Sequence, residues 1–172
     1  MAQQDKDPNN SAMSSKSSAG TTMDPDATFM KKAARGGTAE VELGQLAVQK
    51  GSNEQVKEFG QRMVDDHTKA NNELKQVASQ KQIDLPQEMS AKDKATKARL
   101  EKLSGAQFDR AYMNYMVKDH QADVAEFARE SKMAKDPAVK SFAQQTLPTL
   151  REHLKEAEKI APTQTAQRTP GM

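Results

Sequence analysis

Between residues 56 and 77 one stripe recurs in steps of three and four: Val56, Phe59, Met63, His67, Ala70, Leu74 and Val77. That period belongs to an α-helix with one buried face, not to a strand, whose side chains change face at every residue. Such a helix gains its stability by laying the apolar face against other elements. The chain offers mostly helices for that purpose. Aromatic residues are 4% of it, and Ala, Lys, Gln and Glu are abundant, which disfavours a sheet. Its 172 residues suffice for one domain with a core.

The first helix is expected to open at Asp24-Pro25, a cap followed by proline at the first helical position, and to run to about Lys50. Gly51 stops it, and Ser52-Asn53 start the helix that carries the stripe, which ends before Leu85-Pro86. A shorter helix follows from about Ser90 to Leu103, with Ser-x-x-Asp as its cap and Gly105 as its break. The third long helix spans about Phe108 to Ala134, with Phe108, Tyr112, Met116, Asp123 and Phe127 near one face. Asp136-Pro137 caps the fourth, which reaches about Ile160 along Val139, Phe142, Ala143, Thr146, Leu150, His153, Ala157 and Ile160. Pro148 lies inside that helix and is expected to kink it. Residues 1–23 read as a disordered polar arm, 24–161 as the bundle and 162–172 as a flexible tail.

An offset of 83 residues aligns the two halves. Phe29 meets Tyr112, Met30 meets Met113, Val56-Lys57-x-Phe59 meets Val139-Lys140-x-Phe142, and the cap Asn53 meets the cap Asp136. The matches fall on caps and core positions. With short turns after the first and third long helices, they predict two antiparallel hairpins forming one four-helix bundle with approximate two-fold symmetry.

Several functions drop out. The net charge of +2 gives no basic face for nucleic acid, and the basic run Lys92 to Lys102 also holds Asp93 and Glu101. Without cysteine there are no disulfides and no thiolate metal sites. No apolar run spans a bilayer, and residues 1–26 show no signal-peptide core. No nucleophile elbow, phosphate loop or dinucleotide fingerprint occurs, and nothing calls for an organic cofactor.

What remains is a set of polar residues on apolar faces. His67, His120 and His153 lie on three different helices, and each falls on the inward stripe. The first helix has no histidine, but its spacing places Glu40 with Phe29, Ala33, Gly36, Leu43 and Ala47, whereas Glu42 turns towards solvent. Under the offset Glu40 meets Asp123, one turn beyond His120. Two carboxylates and three imidazoles from four helices suit iron, manganese, zinc or copper. Without a metal, the same residues form a structural hydrogen-bonded network. Met-Val-x-Asp-His occurs twice, at Met63 to His67 and at Met116 to His120; thioethers favour copper(I), and methionine also simply fills cores. Asp66, Asp119 and Glu152 each precede a histidine and point a quarter-turn away, as supporting or surface groups. Tyr112 and Tyr115 fit aromatic core packing.

The segment Phe29-x3-Ala33 through Ala39-Glu40-Val-Glu-Leu-Gly44, then Val56-Lys57-x-Phe59-x-Gln-x-Met63-Val-x-Asp66-His67, resembles a bacterial family of unknown function numbered 4142. The likeness continues through Leu103-Ser-Gly105-x-x-Phe108-Asp109-x-x-Tyr112, Asp119-His120 and Thr146-Leu-Pro148-x-Leu150-x-x-His153, covering about residues 27–160. It implies a ferritin-like fold and a periplasmic or envelope-associated protein, and no established activity. Di-iron ferritin-like proteins carry Glu-x-x-His on two helices; here Val64, Val117 and Leu150 stand three residues before each histidine, which fits a mononuclear site, or an altered site with more imidazole, better.

The expectation is therefore an all-α, ferritin-like antiparallel four-helix bundle with a short extra helix, binding a transition metal through Glu40, His67, His120, Asp123 and His153. Metal handling or oxidative-stress protection would be its role, as a monomer or homodimer. The rival expectation is a non-enzymatic helical interaction or stress-protection module.

Overall fold

The computed structural model describes residues 23–161, all helix and loop with no strand among them. The expected arm, Met23 apart, and the expected tail lie outside the described residues. Five helices follow in order: α1 (Pro25–Lys50), α2 (Glu54–Gln80), α3 (Ala91–Glu101), α4 (Gly105–Met133) and α5 (Pro137–Ile160). The four long ones form the bundle, and α3 is the short extra helix.

The caps sit where the sequence puts them. Asp24 accepts from the Asp26 amide, Asn53 from Gln55, Ser90 from Asp93, and Asp136 from Ala138 and Val139. Each satisfies an amide that the first turn of a helix leaves without a partner. Gly51 ends α1 for a different reason than helix-stopping conformation: its φ is −57°, but a Cβ there would lie 2.7 Å from the Ala47 carbonyl oxygen. Gly105 opens α4 rather than closing α3, and its φ of +59° is the left-handed value that glycine tolerates. The α5 helix runs from Pro137 to Ile160 through Pro148 without interruption, with the ring on the exposed side.

Two carboxylates fasten the hairpins to each other. Asp109, near the start of α4, accepts from the amides of Ser52 (3.0 Å) and Asn53 (2.9 Å) in the α1–α2 turn. Asp26, near the start of α1, accepts from the amides of Lys135 (3.2 Å) and Asp136 (2.7 Å) in the α4–α5 turn. The 83-residue offset carries Asp26 onto Asp109 and Ser52-Asn53 onto Lys135-Asp136. The two clamps are thus one interaction made twice, and the approximate two-fold symmetry is a feature of the fold. They also fix direction: the start of α1 lies at the end of α4, so these helices are antiparallel. The chain from 81 to 104 then has to return along the bundle, with α3 inside it.

Apolar side chains fill the bundle in two clusters. One gathers Phe29, Met30, Leu74, Phe127, Val139, Phe142 and Leu150. The other gathers Leu43, Phe59, Met63, Leu100, Phe108, Tyr112, Met113 and Met116. Burying a large apolar side chain fully stabilises the fold by about 1.5–3 kcal/mol. Met63 and Met116 belong to the second cluster, which accounts for both as core. Leu100 anchors α3 to it, helped by Lys97, which bonds Glu42 at 2.8 Å. Glu42 therefore faces α3 rather than open solvent.

Candidate metal centre

Seven polar or charged residues are buried in the described chain, and four of them meet: Glu40, His67, His120 and His153. Glu40 comes from α1, His67 from α2, His120 from α4 and His153 from α5. His120 and His153 are 0% exposed, and Glu40 is 2%. One donor atom from each histidine lies within 4.8 Å of one from each of the others. A second group within the same limit joins Glu40, Asp119 and His120.

The hydrogen bonds around the imidazoles decide where their protons are. His153 Nε2 is 2.7 Å from Asp66 Oδ2. Burial works against the Asp66 charge, but bonds from His153 and Arg62 hold its carboxyl below the ordinary value, so it is ionised and only accepts. His153 Nε2 therefore donates, and Nδ1 keeps its lone pair. His120 Nδ1 is 3.1 Å from the Met116 carbonyl oxygen, which also only accepts. His120 Nε2 therefore keeps its lone pair as well. These two bare nitrogens, His120 Nε2 and His153 Nδ1, face each other at 3.3 Å.

Two lone pairs in that position repel unless a proton or a cation lies between them. Burial lowers His120 to about 3, with the charges of His67 and His153 acting in the same direction. It also lowers His153 to about 4, against the pull of Asp66. Near neutral pH a proton does not fill the gap. The spacing suits a metal ion, since tetrahedral bonds of 2.0–2.1 Å set nitrogen ligands about 3.3 Å apart. His67, lowered to about 4 by burial, leaves Nε2 buried with no partner. Its Nδ1 lies 2.8 Å from Glu40 Oε2, while Glu40 Oε1, also without a hydrogen-bond partner, is 3.4 Å from His120 Nε2. The donor set fits a cation on chemistry and spacing together.

The carboxylates are under strain of a related kind. Burial, then the charge of Asp119, raises Glu40 well above its ordinary value. Burial, followed by Glu40, Asp119 and Glu126, does the same to Asp123. Asp123 is half-buried and lies outside the three-histidine group, lining one cavity together with Glu40 and His67. Asp119 rises to about 6, through burial and Asp93.

Two contributors escape sequence reasoning. Arg62 bonds Asp66 (3.3 Å), Glu152 (2.9 Å) and Glu156 (2.7 Å), and so holds the carboxylate that orients His153. Its only sequence signal is the four-residue spacing to Asp66. Asp119 reaches the Glu40–His120 edge, although its position one residue before His120 suggested a supporting or surface group. Tyr112 stacks on Phe108 with ring centroids 5.8 Å apart, as expected of a core aromatic, but its hydroxyl is buried without a partner. Tyr115 donates to Asp93 at 2.9 Å.

The sequence profile of DUF4142, a domain of unknown function, matches residues 11–160. This chain belongs to that family. No curated protein matches the DUF4142 chain. Among solved structures, its fold is similar to that of a DUF305 fragment from Deinococcus radiodurans, at 15% identity and a TM-score of 0.69, covering 78% of this chain and 93% of that one. A candidate secreted DUF305 protein from Streptomyces coelicolor matches at 14% identity and 0.66, covering 78% and 90%. CopM in its Cu(II)-bound form matches at 16% and 0.67, covering 78% and 93%. These likenesses establish the helical-bundle fold. No helix among the described residues is long and apolar enough to cross a membrane.

Proposed function

We propose that this DUF4142 protein is a ferritin-like bundle that binds one transition-metal ion and serves metal handling or oxidative-stress protection in the bacterial envelope. His67, His120 and His153 would hold the ion, with Glu40 as the adjoining oxygen donor and Asp123 supporting Glu40. The observation that carries this reading is the pair of bare imidazole nitrogens facing each other at 3.3 Å in a buried site. Neutral imidazoles with one carboxylate suit copper(II), zinc or iron(II), and copper(II) binds such donors most tightly of the three. The Cu(II)- and Ag-bound forms of CopM, a bundle of the same fold, support a metal-handling role and copper first among the candidates. The candidate secreted neighbour supports an envelope location. When bound, the ion would supply positive charge, and for copper or iron one-electron redox capacity. The chain itself supplies a buried nitrogen and oxygen site with donors from four helices.

The test is metal content by mass spectrometry on untagged protein purified without chelator, beside the His67→Ala/His120→Ala/His153→Ala variant. Near-stoichiometric metal in the first and none in the second is the expected result. A protein that is empty as isolated and takes up no copper, zinc, iron or manganese on titration would sink the metal reading. The non-enzymatic interaction module would then replace it, with the histidines as a structural network.

A further inference from the structure

A cavity of ≈ 30 Å³, room for one or two waters, opens beside the candidate centre between the four long helices. Of the residues that line it, Glu40 and His67 are buried, Asp123 and Glu126 half-buried and Lys32 exposed, so the carboxyls run from a mouth at Lys32 and Glu126 to an inner end at Glu40 and His67. The repeat explains why there is space. Carried through the 83-residue offset, His120 falls on Gly37, His153 on Ala70 and His67 on Leu150. All three counterparts line the cavity, so it is the image of the imidazole site, built with two small side chains and one apolar one.

The walls carry a sequence of charges. The antiparallel packing of α1 and α4 pairs Lys32 with Glu126 at the mouth and brings Glu40 to Asp119 at depth. Between them, one turn from each, stand Gly36 on α1 and Asp123 on α4, both lining the cavity. Glu126, Asp123 and Glu40 thus step inward along one opening and end at His67. Gly36 keeps that opening clear, since a Cβ there would have nothing within 4 Å. At the inner end, Glu40 Oε1 is buried and unpartnered.

We propose that this opening between α1 and α4 is the route by which a metal cation reaches the three imidazoles, passed from Glu126 to Asp123 to Glu40. The proposal rests on the metal-binding reading above. A bare cation does not cross an apolar bundle wall, because its lost hydration has to be replaced at each step. Glu126, Asp123 and Glu40 offer carboxyl oxygens for that replacement at successive depths, and the raised Asp123 and Glu40 carboxyls would release their protons as the cation arrives. Lys32 is the competing cation. Its side chain is largely exposed, so its bond to Glu126 is weak and readily exchanged.

Stopped-flow mixing with Cu(II) alone, followed by the metal's absorption, gives the association rate; transfer to a chelator gives the dissociation rate. A Gly36→Leu variant fills the opening without touching a ligand, and it should slow both rates about tenfold while leaving the Kd and the spectrum unchanged. Glu126→Gln should slow association about three- to tenfold, with a weaker salt dependence, and Lys32→Gln should speed it. If Gly36→Leu fails to fold, as thermal melting would show, the Glu126→Gln and Lys32→Gln rates decide the matter. Unchanged rates in folded variants that still bind Cu(II) overturn the route and leave the site standing. A wild-type protein that takes up no Cu(II) overturns both.

Discussion

The two hairpins share a frame and differ in how closely their helices approach. In α1–α2, Gly44 and Gly60 bring the backbones together: a Cβ on Gly44 would lie 2.6 Å from the Gly60 carbonyl oxygen, and one on Gly60 would lie 2.8 Å from that of Gly44. The repeat places Phe127 and Ala143 at those positions in α4–α5. Where α1–α2 has Gly37 and Ala70, α4–α5 has His120 and His153. One hairpin closes on itself by omitting side chains, and the other holds two imidazoles between its helices. The clamps and the Asn53/Asp136 cap are duplicated, and the chemistry is not. A symmetric frame thus fixes where four helices stand, while unequal filling creates a buried polar cluster on one side and a cavity on the other.

The largest effect expected from breaking that contrast is at the glycine contact. Gly44→Ala and Gly60→Ala put a methyl against a backbone oxygen, which cannot rotate away, and each should cost about 2–3 kcal/mol in denaturant unfolding. A loss under about 0.5 kcal/mol would mean the hairpins are not distinguished by close packing. Next comes the bond that orients His153. Asp66→Asn should weaken metal binding about 10- to 100-fold, because the ring loses the charged, acceptor-only partner that fixes its tautomer. Exposed Asp65→Asn is the control and should leave affinity unchanged.

The paired clamps offer a direct test of the shared frame. Asp26→Ala and Asp109→Ala each strip two amides of their partner and should each cost about 1–2 kcal/mol, with Asp26, the more buried, at the upper end. A clamp whose loss is silent would show that only one hairpin depends on the other.

Acid should act on the imidazole side. Folding holds the three histidines neutral at about 3 to 4, below their ordinary 6.5. Between those limits the unfolded chain binds more protons, so this contribution to stability is complete above pH 6.5 and is lost as pH falls towards 4. The raised carboxyls of Glu40, Asp119 and Asp123 act oppositely, favouring the fold as pH falls. His120→Gln isolates the histidine part: metal-free wild type should lose more stability than the variant over this range, by at most about 1.4 kcal/mol per pH unit. Equal slopes would mean that His120 protonates in the folded state as easily as in the unfolded chain. The smallest effect is a gain. Gly36→Ala fills open space and removes a helix-interior glycine, and should raise stability by about 0.5–1 kcal/mol.

The sequence by itself determined the helices, their caps and the inward set of Glu40, His67, His120 and His153. These are local properties: a three-four period and a cap residue act within one or two turns, and an 83-residue repeat on core positions implies paired hairpins. The sequence also contained Asp26 and Asp109 as an equivalent pair, but their clamps join residues more than fifty positions apart, and no local rule reports such a bond. The same holds for Arg62, whose importance lies in reaching α5, and for Asp119, which the packing of α1 against α4 brings to Glu40. Gly36 was visible as a member of the Glu40 face; the cavity beside it exists because four helices surround it. Above all, the proton positions on His120 and His153 follow from what Met116 and Asp66 accept. A tautomer is set by the partner on its far side, and only the tertiary structure supplies that partner.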